Sequence, residues 1–346
     1  MFFKFNMYLL TVITKIFHFL PEEIAHRFAL SGLKITHSFG LLRILLGKNF
    51  TGKDISCKPI GKTTFKNKLG LAAGLDKDGD YIDSLSALGI GFIEVGTVTP
   101  IQQKGNPKPR LFRNRTDKSL LNRLGFNNKG VEALVENLKN RNSTIPVGVS
   151  IGKNFDTPNE EAYKDYLFCM QKVYEYSSYI AINISSPNTE ELRDLSNEKF
   201  LGGLLAKIKE KQNKLSESFE YVPVFIKISP DEKFEDLENI CKSIMQYQID
   251  GIIVSNTTII HNDKNGHGGL SGTPLKNKAT EKLSFIKKIV GDKLFIIASG
   301  GVMSASDYQE KIDAGADFVQ IYTGFIFEGP KLVHDILLKN SLKRKT

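Results

Sequence analysis

The stretch AINISSPNTE, residues 181–190, runs from apolar residues into a turn that is crowded with hydrogen-bonding side chains. Ala181, Ile182 and Ile184 favour a β-strand, and Pro187 cannot donate to a strand ladder. The polar side chains at this strand end are Asn183, Ser185, Ser186 and Asn188. The stretch is either a strand that ends in an active site or an ordinary Asx or Ser turn, and the rest of the chain has to decide.

Seven other short apolar runs also end in polar or glycine-rich segments. The eight predicted strands are residues 69–73, 92–97, 146–151, 179–185, 222–228, 251–256, 294–299 and 318–322. Amphipathic helices are predicted at 129–140, 160–176, 199–215, 234–247, 278–290, 305–314 and 331–339. Strands that are rich in Val and Ile and alternate with helices favour an α/β fold, a parallel sheet closed into a (β/α)8 TIM barrel. A doubly wound open sheet is the alternative.

Residues 1–50 form a predicted helical appendage to a barrel domain of residues 51–346. Six Lys or Arg residues and two Glu residues lie in it, and Pro21 separates two predicted amphipathic helices, 5–19 and 22–46. The longest apolar run, 8–20, contains Lys15 and His18 and is shorter than the ~20 residues of a membrane span. The helix pair either lies in a membrane interface or packs on the barrel. Residues 52–67 are predicted to connect the two parts.

Composition narrows the class of protein. The chain has 346 residues, of which 41% are hydrophobic and 25% charged, as in soluble globular proteins. Its three cysteines and six histidines lack metal-ligand spacing, so we expect a reducing compartment and no metal site, and a zinc hydrolase is disfavoured. The net charge of +9 is compatible with nucleic acid, anionic lipid or anionic small molecules as partners.

Barrel enzymes carry their chemistry on the loops that follow the strands. Lys227 lies in the otherwise apolar run VFIKIS and is predicted to face the barrel interior, where an ammonium needs an anionic or electron-rich partner. The alternative is a strand-edge lysine that reaches solvent. Lys77, in AAGLDKDG, offers a second cation. Glycine-rich turns after the last two strands predict a phosphorylated cofactor, because backbone N–H groups bind phosphate there.

These segments together resemble class 2, quinone-dependent dihydroorotate dehydrogenases over almost the whole chain. The resemblance rests on LGLAAGLDKDG (69–79), IEVGTVTP (93–100), PKPRLFR (107–113), LNRLGFNN (121–128), IGKN (151–154), YIAINISSPNT (179–189), SNTT (255–258), GGLSG (268–272) and VQIYTGFIF (319–327). It implies that FMN accepts hydride from (S)-dihydroorotate, which becomes orotate in pyrimidine (UMP) synthesis, and that a membrane quinone is the final electron acceptor.

The resemblance also implies a set of site residues. FMN would contact Ala73, Gly74, Lys77, Thr97, Ser150, Asn183, Lys227, Ser255, Gly272, Gly301, Tyr322 and Thr323. Dihydroorotate would contact Lys77, Asn122, Arg123, Leu124, Gly125, Phe126, Asn183, Asn188, Asn256 and Thr257. Ser150 and Ser255 stand where many relatives have asparagine and threonine.

Catalytic roles are implied for two residues. Ser186 matches the family's base, which takes a proton from C5 of the substrate, and Lys227 stabilises negative charge on the reduced flavin. Residues 188–202 match a mobile loop that closes on the substrate. His26 and Arg113 match polar positions near a quinone tunnel, with Tyr322 between tunnel and flavin. The alternative for His26 is a surface histidine on the second helix.

The resemblance implies a peripheral protein on the cytoplasmic face of a bacterial inner membrane. We expect a monomer that binds dihydroorotate, orotate, quinone and an anionic membrane surface but no nucleic acid. Three alternatives stay open: a soluble class 1 enzyme that uses fumarate or NAD, a flavin barrel that reduces uridines in RNA, and a barrel that only binds a phosphorylated ligand. Class 1 enzymes have cysteine at the position of Ser186.

Overall fold

The computed structural model describes residues 2–46, 57–189 and 191–342. Residues 52–56 of the predicted connector lie outside this range. The strands are β1 Leu69–Leu71, β2 Phe92–Val98, β3 Leu111–Asn114, β4 Ser119–Asn122, β5 Val147–Ile151, β6 Tyr179–Asn183, β7 Val224–Ile228, β8 Gly251–Val254, β9 Gly269–Gly272, β10 Phe295–Ser299 and β11 Phe318–Ile321.

The α-helices alternate with the strands along most of the chain. They are α1 Phe2–Phe17, α2 Glu22–Ser38, α3 Leu41–Leu46, α4 Ile82–Ser86, α5 Val131–Asn140, α6 Ala162–Val173, α7 Glu198–Ser216, α8 Phe234–Gln246, α9 Lys276–Val290, α10 Ala305–Asp313, α11 Thr323–Glu328 and α12 Pro330–Leu342.

Eight parallel strands close into a barrel in the order β1-β11-β10-β8-β7-β6-β5-β2. Each begins and ends within two residues of its predicted bounds. Because β1 pairs with both β2 and β11, the sheet has no edge, which excludes the doubly wound alternative. The predicted (β/α)8 barrel is therefore confirmed.

Alternate residues of the strands point into the barrel, as the period of two requires. The end of the barrel interior near the starts of the strands is filled by aromatic rings. The ring centroids of Tyr179 and Phe225 lie 5.2 Å apart. Gly148 leaves room for this layer, because a Cβ there would lie 2.0 Å from the Tyr179 ring. Phe92, Phe225 and Phe318 belong to this aromatic layer. Two residues after each of them, the next inward position of the strand is buried and polar: Glu94, Lys227 and Gln320. A layer of polar side chains thus lies between these aromatic rings and the C-terminal mouth of the barrel.

A small antiparallel sheet of β3, β4 and β9 lies beside the barrel mouth. It pairs Asn122 with Gly269 and thereby joins two motifs that are far apart in the sequence. Much of the long connection expected at 112–128 is thus a hairpin. Its strands are four residues long, too short for a clear alternating pattern, so sequence periodicity could not reveal them.

The N-terminal helices pack on the barrel. The single helix predicted at 22–46 is wrong: α2 ends at Ser38, and Gly40 adopts a φ of +70° before α3 begins. This left-handed backbone is natural for glycine and stops the helix. More than half of the large exposed apolar side chains of the described chain lie between residues 8 and 44. Among the described helices, none is both long and apolar enough to cross a membrane.

Candidate active site

A polar cavity opens at the C-terminal ends of the barrel strands, with an empty volume of about 1030 Å³ that includes solvent at its mouth. Such a size suits an organic cofactor with a small substrate. The predicted site residues that line it are Ala73, Gly74, Lys77, Thr97, Asn122, Leu124, Gly125, Phe126, Asn183, Ser186, Asn188, Lys227, Ser255, Asn256, Thr257, Gly272, Gly301, Tyr322 and Thr323. The barrel therefore brings nearly the whole predicted set together.

Two predicted ligand contacts do not line this cavity. Ser150 is fully buried, and its Oγ lies 2.8 Å from Thr97 Oγ1, so its short side chain supports Thr97 from behind. The guanidinium of Arg123 lies 4.8 Å from the centroid of Phe112 and donates to the carbonyl oxygen of Asn265. Neither residue lines the cavity, and the predicted ligand contacts of Ser150 and Arg123 stay predictions.

The asparagines on the cavity wall form two hydrogen-bonded pairs of amides. Asn183, at the end of β6, donates to Thr97 Oγ1 at 2.9 Å and accepts from Asn256 at 3.3 Å. Asn188 donates to Asn122 Oδ1 at 2.9 Å, and Asn122 donates to the carbonyl of Gly269 at 3.0 Å. Each amide is thereby fixed in orientation, and its remaining donors and acceptors are available to a flat polar ligand.

Ser186 follows β6 in the turn that Pro187 completes, and its side chain faces the cavity. Its Oγ accepts a hydrogen bond from the backbone N–H of Asn188 at 3.3 Å. The residue is only 6% exposed, so a ligand that covers it would leave the hydroxyl in water-poor surroundings. This arrangement leaves the Ser186 hydroxyl facing any molecule bound against the asparagine wall.

Lys227 stands at the floor of the cavity, in the polar layer of the barrel. Its Nζ donates to Glu94 Oε1 at 3.2 Å. The other carboxylate oxygen, Oε2, accepts from Tyr179 at 2.9 Å and from Gln320 at 2.7 Å. Because Glu94 and Lys227 are both buried, each needs the other's charge. The ammonium therefore faces the cavity interior, and the solvent-reaching alternative is wrong.

Lys77 is positioned by the turn after β1. Asp76 shapes this turn, since its carboxylate accepts from the backbone N–H groups of Asp80 and Tyr81 at 2.9 Å each. Lys77 then reaches Asn127, to which its Nζ donates. Burial, together with the positive charge of Arg110, lowers the pKa of Lys77 to about 7. An anionic ligand in the cavity would favour the protonated form.

A second, apolar cavity of about 1260 Å³ lies between the N-terminal helices and the barrel mouth. His26 and Arg113 both line it, among mostly aliphatic side chains of α1, α2 and α3, and their place beside a quinone tunnel stays a prediction. Burial and the nearby charge of Lys77 lower the pKa of His26 to about 4, so its imidazole is neutral at neutral pH. Leu111 and Leu120 line both cavities and form the wall between them.

Tyr322, predicted to lie between flavin and tunnel, lines the polar cavity and packs close to Gly74, where an added Cβ would lie 3.3 Å from its ring. The ring of Tyr322 therefore forms part of the wall of the polar cavity, beside the loop that follows β1. Burial raises the pKa of this phenol to about 12, so the hydroxyl stays protonated at neutral pH.

A family model described as dihydroorotate dehydrogenase matches residues 56–344. The chain belongs to the dihydroorotate dehydrogenase family. Two curated relatives are named dihydroorotate dehydrogenase (quinone): one from Acinetobacter baylyi is 46% identical over 327 residues, 92% of this chain and 96% of the relative. The other, from Shewanella sediminis, is 47% identical over 330 residues, 93% of this chain and 96% of the relative.

Solved structures agree with this assignment. A crystal structure of DHODH in complex with ferulenol from Eimeria tenella superposes with a TM-score of 0.82 at 32% identity, and covers 94% of this chain and 92% of its own. A ligand-free DHODH structure from the same organism gives a TM-score of 0.81 at 33% identity, and covers 92% of this chain and 95% of its own. The barrel and its N-terminal helices therefore share the overall architecture of these dihydroorotate dehydrogenases.

The dihydroorotate dehydrogenase family is flavin-dependent, and the polar cavity fits such a group. Among the described residues, two buried polar atoms at the cavity, Thr257 Oγ1 and Gln320 Oε1, have no hydrogen-bond partner. Buried polar atoms are normally hydrogen-bonded, so these two atoms fit a site that holds a polar ligand. The floor offers the ammonium of Lys227, and the turn at Gly300 and Gly301 adds backbone N–H groups to the lining.

Sequence reasoning missed two of the polar residues in this dihydroorotate dehydrogenase site. Glu94 and Gln320 each interrupt an otherwise apolar strand, FIEVGTV and FVQI. The same signal drew attention to Lys227 in VFIKI. An inward polar residue in a buried strand needs a partner, so the three interruptions could have been linked before the structure was known.

Proposed function

We propose that this protein oxidises dihydroorotate to orotate with FMN as bound cofactor and passes the electrons to a quinone, as a step of pyrimidine synthesis. The observation that carries the proposal is the pair of adjoining cavities, one polar and one apolar, that share Leu111 and Leu120 as a wall. A polar substrate and an apolar electron acceptor need such separate sites. A barrel that only binds a phosphorylated ligand needs no second cavity.

The polar cavity offers complementary groups to both FMN and substrate. Bound FMN would supply the acceptor for the hydride that leaves C6 of dihydroorotate. The residues proposed to hold it are Ala73, Gly74, Thr97, Lys227, Gly272, Gly301, Tyr322 and Thr323. The two asparagine pairs and Lys77 then suit the amides and the carboxylate of the substrate.

Ser186 is the proposed proton acceptor. Its hydroxyl faces the cavity, and we propose that Oγ takes the proton from C5 of dihydroorotate as the C6 hydride leaves. A serine hydroxyl is a weak base at its ordinary pKa, so the proton it gains must pass onward. Among the described residues, the buried Oγ1 of Thr189, three residues further along the turn, has no hydrogen-bond partner, and we propose it as the next group in this proton relay.

The charge of Lys77 should make substrate binding depend on pH. Since its pKa is about 7, the free protein loses this cation as the pH rises through neutrality. A bound carboxylate favours the protonated form, so orotate affinity should fall by up to about tenfold per pH unit above 7. Equilibrium titration with orotate between pH 6 and pH 9, both roughly one or two units from this pKa, measures the slope. Lys77→Met should bind weakly with no slope; an equal slope in this variant would contradict the assignment.

We propose that residues 1–50 attach the protein to the cytoplasmic face of the inner membrane and admit quinone to the apolar cavity. In the described part of this segment, Phe28 of α2 and Phe39 after it are exposed to 54% and 76%. The basic side chains among these residues favour anionic lipid. Residues 51–346 would then form the catalytic domain. The monomeric state and the lack of a nucleic-acid partner stay predictions.

Membrane attachment is testable with a single substitution. Phe28→Asp should weaken cosedimentation with phosphatidylglycerol vesicles by about tenfold or more, because burial of a phenylalanine is worth roughly 1.5 kcal/mol or more. Phe168→Asp, at a similarly exposed phenylalanine of α6, serves as the control and should bind vesicles normally. Equal binding by wild type and Phe28→Asp would refute this docking face.

The identity of the electron acceptor distinguishes the proposed activity from the remaining alternatives. The purified protein should form orotate from dihydroorotate with a short-chain quinone, faster in detergent or lipid than without it. Fumarate or NAD as the preferred acceptor would indicate a class 1 activity. Failure of dihydroorotate to react, with reduction of RNA uridines instead, would overturn the proposed function.

A further inference from the structure

One arginine of the loop after β6 contacts three separate segments around the polar cavity. Arg193 lies in the short 3-10 helix Leu192–Ser196. Its Nη1 donates to Asp231 Oδ2 at 2.9 Å, its Nη2 to the carbonyl oxygen of Thr257 at 3.0 Å, and its Nε to the carbonyl oxygen of Ser185 at 3.3 Å. Both carbonyls belong to backbone directly at the site: Ser185 precedes Ser186, and Thr257 lines the cavity itself.

The carboxylate that binds Arg193, that of Asp231, accepts hydrogen bonds from several other groups as well. Asp231 follows β7 and also accepts from the backbone N–H of Ile259 at 2.8 Å and from Thr258 and Lys278. Burial disfavours its charge, but the hydrogen bonds from these groups and from Arg193 hold the pKa of Asp231 below its ordinary value. The carboxylate therefore stays charged and can hold the guanidinium in one place.

The rest of the loop is fastened by different contacts. Leu192 and Leu195 are buried, and Asn159 donates to the carbonyl of Glu191 at 2.8 Å. None of the described hydrogen bonds of these three residues goes to the backbone of Ser185 or Thr257. Of the predicted mobile loop 188–202, the last five residues belong to α7, which begins at Glu198, and the mobility of the loop stays a prediction. Among the described hydrogen bonds, those that join this loop to the carbonyl oxygens of Ser185 and Thr257 come from Arg193.

We propose that Arg193 is a positioning residue for the reaction, which fixes the backbone of Ser185 and Thr257 so that Ser186 and the substrate amides keep their relative placement. The proposal rests on the proposed function. A guanidinium presents donors along three edges in one plane, which an ammonium cannot reproduce. Displacements of about 1 Å at a reacting group cost roughly a hundredfold in rate.

Arg193→Met tests the proposal in the full-length, flavin-loaded protein. We expect about a hundredfold slower reduction of the flavin by dihydroorotate in stopped-flow mixing, against a change of less than about tenfold in orotate affinity. Reoxidation by quinone should be unchanged. Arg193→Lys should recover little of the loss, because it restores the charge to Asp231 but not both carbonyl contacts.

Lys278→Met is the matched control, because Lys278 is the other cation on Asp231 and contacts neither carbonyl. It should reduce flavin at close to the wild-type rate, although both variants lose an ion pair and melt earlier. An equal slowing in both variants would overturn the proposal, since the effect would then come from Asp231 and its surroundings in general.

Hydrogen exchange supplies a readout that does not depend on activity. Arg193→Met should speed amide exchange in residues 184–189 and at 257–258, whereas Lys278→Met should leave 184–189 protected. Unchanged exchange at 184–189 in Arg193→Met would overturn the positioning role. If dihydroorotate fails to reduce the flavin of the wild-type protein, the proposed function is refuted instead. The exchange comparison would then still show whether Arg193 fixes the backbone of residues 184–189.

Discussion

Ser186→Ala is expected to slow flavin reduction by dihydroorotate by about 10³-fold, the middle of the range for loss of a general base. This corresponds to about 4 kcal/mol of barrier. The loss should be this large because, among the described residues, no carboxylate or imidazole lines the cavity, and its amides and hydroxyls are poor proton acceptors. Stopped-flow reduction under anaerobic conditions measures the step directly, separate from quinone.

Two controls make the result specific to the base. Flavin content and orotate affinity of Ser186→Ala should stay near wild type, since its Oγ makes only the 3.3 Å contact with the Asn188 backbone among the described residues. Ser185→Ala removes a neighbouring buried hydroxyl that contacts Asn256 at 3.1 Å, and it should cost less than about tenfold. Near-normal reduction by Ser186→Ala, or equal losses in both variants, would contradict the role.

Gly32→Phe should block the quinone step while sparing flavin reduction. Gly32 lies on α2 and lines the apolar cavity, and an added Cβ would meet no atom within 4 Å. A phenyl ring there can enter the cavity without a clash at the backbone. We expect kcat/KM for quinone to fall by about a hundredfold or more, because displacement of a reactant by about 1 Å has this cost. Steady-state assays with a short-chain quinone measure it.

The matched control for this variant is Gly203→Phe. Gly203 lies on α7, and its Cβ position is equally open, but the residue does not line either cavity. Its quinone kinetics should match wild type. If Gly32→Phe keeps normal quinone turnover, or if its reduction by dihydroorotate slows as much as its reoxidation, quinone does not use the apolar cavity.

The barrel could be predicted from the sequence because its strands carry a strong local signal. Val and Ile runs with polar ends, spaced by amphipathic helices, located all eight barrel strands within two residues. Most of the site followed from the rule that function lies on the loops after the strands. Helix ends were less certain, as the break at Gly40 illustrates, because a single glycine is tolerated inside many helices.

The contacts between distant segments could not be predicted in this way. The pairing of Asn122 with Gly269 joins short strands across most of the barrel sequence, with no local pattern to reveal it. Arg193 contacts Asp231 and Thr257 only because the closed barrel brings three loops to one side of its mouth. The ligand contact of Ser150 stays a prediction, since the length of a side chain decides whether it reaches a ligand or stops at Thr97.

Sequential anaerobic mixing tests the central claim, that one cavity serves dihydroorotate and flavin while its neighbour serves quinone. The flavin-loaded protein is mixed first with dihydroorotate and then with a short-chain quinone, while visible flavin absorbance is recorded. The account predicts that the absorbance falls with formation of an equal amount of orotate and returns on addition of quinone. Absorbance that dihydroorotate leaves unchanged, or that fumarate or NAD restores and quinone does not, would contradict it.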